Sequence, residues 1–78
     1  MPRFYFHVHD DDVFRDGEGL DLNDADAARQ AAIAGARSMI CDAVKRGTVH
    51  LDHRIDVEDE SGAPVARIVF RDAVRILG

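Results

Sequence analysis

Residues 23 to 47 read NDADAARQAAIAGARSMICDAVKRG, and this one run takes close to a third of a 78-residue chain. Asn23 is a good N-cap, because its side chain can accept from a free first-turn N–H. Asp24 and Asp26 follow, where the helix dipole favours negative charge. Lys45 and Arg46 stand at the opposite, negative end, and Gly47 supplies the stop. The spacing predicts a helix from Asn23 to about Arg46. Residues placed at 100° intervals put Ala25, Ala28, Ala32, Gly35, Ala36, Met39, Ile40 and Ala43 on one stripe, with Gln30, Arg37, Ser38, Cys41 and Lys45 opposite. The N-terminal half of that stripe is alanine and glycine. Such a face is buried only by a sheet that lies close to the helix and fills the gap with large side chains.

Those large side chains come from both sides of the helix in the sequence. In Phe4 to His9, Phe4, Phe6 and Val8 alternate with Tyr5, His7 and His9, the period of a half-buried strand. Three aspartates, Asp10 to Asp12, then suit a solvated turn, and Val13 to Arg15 return as a short second strand. Asp16 to Gly19, DGEG, form a further turn, and Leu20 and Leu22 flank Asp21 in a brief extended piece. Beyond the helix, Ile55 and Val57 alternate with Asp56 and Glu58. Glu60 to Pro64 turn, and Val65 to Phe70 return with Ala66, Ile68 and Phe70 toward the core. Val74, Ile76 and Leu77 make the last residues too apolar for a free end. The expected architecture is α+β in two layers: one long helix on an antiparallel sheet of about four strands, ordered β-hairpin, helix, β-hairpin, in a single domain over residues 1–78.

Composition narrows the function. Hydrophobic residues make up 46% and charged residues 32%, which places the chain among globular sequences. The single cysteine, Cys41, rules out an internal disulfide and a four-cysteine zinc cage, and suits a reducing compartment. No basic leader and no run of about 20 apolar residues is present, so the expected location is the cytoplasm, with no membrane partner. Residues 1 to 26 hold eight acids against Arg3 and Arg15, while the remainder holds seven acids and eight bases. The acidic front disfavours nucleic acid as a partner, because phosphate would meet a negative field.

Candidate chemistry is sparse. His7 and His9 lie two apart on one strand face, close enough to share a metal ion, and His50 and His53 in HLDH offer further ligands. An outward strand face beside a turn is also where polar residues ordinarily stand, and that reading is preferred, with no metal expected. Cys41 falls in mid-helix, away from an N-terminus that would lower its pKa. Ser38 and Ser61 lack a nucleophile elbow. DGEG lacks the GK[ST] ending of a phosphate loop, so neither a cofactor nor catalysis is expected. The remaining feature is the sheet face away from the helix, where Arg3, Tyr5, His7, His9, Arg67 and Val69 are expected together. Tyr and Arg suit a protein-binding surface, and uncovered sheet edges favour pairing with a second copy.

MPRFYFHVHDDD, RDGEGLDL, the alanine-rich helix, IDVEDESGAPV and VFRDAV together resemble a family of short bacterial proteins known as a domain of unknown function, whose members open with an MPRYFFHV-like phrase. That resemblance spans nearly the whole chain and implies no activity. His7 belongs to the shared phrase, whereas His9 stands where another polar residue, often arginine, is expected. A looser similarity of layout is to HicB-type antitoxins, which begin with a strand, an acidic turn, a strand and an alanine-rich helix. This chain lacks the proline-and-glycine phrase expected before that helix, and an added DNA-binding segment. The expectation is a non-enzymatic domain acting by protein–protein interaction or self-association. An antitoxin-like nucleic-acid regulator and a metal-binding domain through His7 and His9 are the alternatives.

Overall fold

The computed structural model describes residues 1–78. In chain order the elements are β1 (Arg3–His9), β2 (Val13–Phe14), β3 (Leu20–Asp21), α1 (Ala25–Arg46), β4 (Arg54–Glu58), β5 (Pro64–Val69) and a one-turn α2 (Phe70–Ala73). All strand pairings are antiparallel. The order is β2-β1-β4-β5, and β3 also pairs with β1. The two hairpins therefore join through β1 and β4, the partners that sequence alone could not pair. The sheet has five strands because Leu20 and Asp21 sit opposite Phe4 and Arg3. β2 and β3 together make one interrupted edge strand, so that edge offers only two-residue stretches for accidental pairing, whereas β5 forms the longer opposite edge.

α1 begins one residue later than the sequence predicts. Asp24 rather than Asn23 is the N-cap, extended at φ −162°, with its carboxylate accepting the Ala27 N–H at 2.8 Å. Either side chain could cap. Asp24 also adds a full negative charge at the positive end of the dipole. At the other end Gly47 takes φ 94°, its N–H donating to Val44 while the Thr48 N–H donates to Ala43. This paired closure needs a left-handed residue, which glycine adopts without strain.

The buried face of α1 is Ala28, Ala32, Ala36 and Ile40, with Gly35, Met39 and Ala43 at its margins. Ala25, expected on the stripe, is exposed. Beneath these alanines lie Phe4, Ile55, Val57, Ile68 and Phe70, with Val57 wholly buried. α1 packs mainly on β4, β5 and α2 rather than on β1 and the edge strands β2 and β3. Phe6 and Val8 are consequently only half-buried, and Phe14 and Leu20, opposite Val8 and Phe4 in register, are exposed.

The close seat of α1 makes size at the stripe critical. Ala36→Leu is expected to lower unfolding free energy by about 1–3 kcal/mol, since Ala36 is wholly buried and added methylenes have no space to enter. Gly35→Ala is expected to raise it by about 0.5–1 kcal/mol. Its new Cβ would meet Ile55 Cδ1 at 3.7 Å, an ordinary contact. Urea denaturation of both variants checks the pair.

Candidate functional site

The face of the sheet turned away from α1 carries the residues that the alternation of β1 singles out. Register places His7 opposite Asp56, which faces Arg67, and His9 opposite Arg54, which faces Val69. The sequence expectation of a water-exposed face holds at Arg67 but gives way at His7, which is only 4% exposed. The cover is not the helix. It is the segment Arg15–Gly19, which leaves β2, arches over β1 and re-enters as β3.

Asp16 is the knot of that arch. One carboxylate oxygen accepts the Phe6 N–H at 3.1 Å, and the other accepts the Glu18 and Gly19 N–H groups at 3.0 Å each. The carboxylate thus takes the place of a missing strand partner where β2 has stopped and β3 has not begun. Its own N–H donates to His7 Nδ1 at 3.0 Å. With Nδ1 accepting, His7 carries its proton on Nε2 and donates to Glu58 Oε1 at 2.8 Å. Gly19 closes the arch at φ 74°, so near β1 that a Cβ there would lie 2.8 Å from Arg3 Cγ and 2.9 Å from Tyr5 Cε1. Arg3 is fully engaged, donating to both carboxylate oxygens of Asp21 and, at 2.7 Å, to the Glu18 carbonyl.

A second cluster centres on Asp56. Arg67 donates to it at 2.9 Å, Arg54 at 3.3 Å, and His9 Nε2 lies 3.2 Å away, while Arg54 also donates to His9 Nδ1. Burial alone would push the Asp56 carboxyl up, but the hydrogen bonds from Arg67 and Arg54 outweigh it and hold it below the usual carboxylate range. Asp16 follows the same pattern, its burial outweighed by the N–H groups of Gly19, Phe6 and Glu18. His7 and His9, the candidate ligand pair, each have both ring nitrogens occupied by protein partners.

Two further features lie elsewhere. On the uncovered flank of α1 is an apolar cleft of about 230 Å³ lined by Phe6, Leu20, Ala31, Ala32, Gly35 and Ile55. At the C-terminal end of α1 is a polar cleft of about 490 Å³, where Asp11, Asp42, His50 and His53 converge. Sequence reasoning missed Asp16. The available signal was an Asp followed by Gly and a second Gly, the spacing at which a side-chain oxygen can close its own turn.

Asp16→Ala is expected to cost about 1–3 kcal/mol, because it leaves three backbone N–H groups without their acceptor. Both depressed aspartates also set the sign of the acid response. Each binds a proton more readily unfolded than folded, so its contribution is complete above the ordinary value of about 3.9. It is lost as pH falls through the lower folded value. The urea midpoint is expected to drop below about pH 4, and less steeply in Asp16→Asn than in the parent.

No curated protein and no solved structure is similar enough to this chain to count as a match. A family model does match, over residues 3–71, and that span runs from the start of β1 into α2. It takes in the Asp16 arch, the helix and both hairpins. The chain therefore belongs to the domain of unknown function DUF6894.

Proposed function

We propose that this domain is a non-enzymatic binding module that acts through protein association, with a second copy of the chain as its partner. The observation that carries this reading is the displacement of α1 toward β4 and β5. It leaves Leu20 at 50% exposure in the lining of the apolar cleft, and Phe14 at 59% on the same sheet edge, in β2. The groups lining that cleft are all hydrocarbon, which can hold an apolar segment but cannot move a proton. Exposed apolar surface gathered in one place marks an interaction site more often than scattered single residues do.

The same chain carries a segment suited to fill it. Ile76 and Leu77 are 71% and 79% exposed. They follow α2, which packs against α1 and β5, whereas the cleft opens beside β1 and β3. Residues 74–78 would have to cross the helix to reach their own cleft. A partner copy can offer them directly, and reciprocal insertion closes into a two-fold dimer. The cations expected to draw phosphate, Arg3 and Arg67, are paired with Asp21 and Asp56, which favours a protein partner over the nucleic-acid reading. Exposed, unpaired Cys41 suits a reducing compartment such as the cytoplasm. No helix is long and apolar enough to cross a membrane.

Sedimentation equilibrium is expected to give about twice the chain mass at micromolar concentration. Ala31→Glu, in the cleft, and Leu77→Asp, in the inserted segment, are each expected to return a folded monomer. A parent chain that stays monomeric at high micromolar concentration, or a dimer indifferent to both substitutions, would contradict the proposal.

A further inference from the structure

We propose that His50, Asp52 and His53, joined by Asp11, form a binding site for a divalent transition-metal ion of the zinc class. One donor atom from each of His50, Asp52 and His53 lies within 4.8 Å of the others. Ligands held about 2.1 Å from a tetrahedral ion stand about 3.4 Å apart. Closing the difference asks for side-chain rotation, which the exposed His50 and Asp52 can supply. Asp11 reaches in from the turn after β1, its Oδ1 3.8 Å from His53 Nε2. The four donors thus come from the β1–β2 turn and the connection between α1 and β4, which the fold brings to one end of the sheet.

The backbone beneath the three HLDH donors is fixed. The His53 carbonyl accepts the Phe70 N–H at 2.8 Å, and the Leu51 carbonyl accepts the Arg71 N–H at 3.0 Å. The two imidazoles stack with centroids 4.7 Å apart and planes 20° from parallel, and the edge of His53 meets Phe70 at 5.9 Å. Stacked rings cannot aim their in-plane lone pairs at one ion, so binding turns the exposed His50 ring out of the stack while Phe70 holds His53 in place.

Their chemistry differs from that of the histidines on the sheet. His7 and His9 have each ring nitrogen occupied, whereas neither ring of His50 nor His53 takes part in a hydrogen bond within the chain. Their lone pairs are free for a cation. The surrounding cleft adds Asp10 and Asp42 against the single cation Arg46, so its field favours positive charge. Two imidazoles with carboxylates suit zinc and its neighbours. Calcium and magnesium take oxygen donors throughout.

Isothermal titration of the full chain with zinc is expected to give one ion per chain. His50→Ala and His53→Ala are each expected to weaken binding about 100-fold or more, and Asp11→Asn about tenfold or more. His9→Gln is expected to leave it unchanged, and calcium to give no saturable signal. Cobalt added in place of zinc should develop the visible absorption of a tetrahedral nitrogen–oxygen site, lost in His50→Ala. His50 is exposed, so its substitution tests ligation without disturbing the core. Absence of saturable zinc binding would overturn the proposal, as would binding that survives His50→Ala or that disappears in His9→Gln. Dimer formation is a separate measurement and does not bear on this result.

Discussion

The seat of α1 depends on alanine at positions 28, 32 and 36. Side chains this small let the helix backbone lie close to β4 and β5, so that Ile55, Val57, Ile68 and Phe70 fill the layer between. Packing in such a layer is near crystal density and tolerates little change in volume. Because the alanines face β4, β5 and Phe4 at the start of β1, the helix leaves the edge strands β2 and β3 uncovered. The uncovered apolar flank at Phe6, Phe14 and Leu20 follows from where the small residues stand, and so does the cleft proposed as a docking site.

The other face of the sheet solves a different problem. A chain of this length has too few apolar residues for a second hydrophobic layer, and buries roughly 60% of its unfolded surface. It covers β1 instead with a short arch held by polar groups. Asp16 satisfies three N–H groups, His7 passes the connection to Glu58, and Gly19 allows the close return. No buried side-chain nitrogen or oxygen in the chain is left without a partner. Complete satisfaction is what makes burial of an imidazole affordable in so small a protein.

Much of the architecture was legible from local pattern. The alternation of Phe4 to His9 and of Arg54 to Glu58, the 3.6-residue stripe in the helix and the Gly47 stop each have one physical reading. What was not legible was long-range. Nothing in the sequence states that β1 pairs with β4, or that α1 lies toward β5, since both depend on packing between segments far apart in the chain. His7 looked like a wet residue because its neighbours in sequence alternate correctly; its burial comes from an arch ten residues on. The HLDH segment was visible as a source of ligands. Its approach to Asp11 depends on the β1–β4 pairing, which only the fold supplies.

Methyl NOE spectroscopy on the isotope-labelled chain tests the placement of the helix most directly. Contacts from the Ala32 and Ala36 methyls to Ile55, Val57 and Ile68, with none to Phe14, are the expected result. Strong contacts from those methyls to Phe14 would place α1 over the β1 edge, and would remove both the uncovered flank and the reason for it.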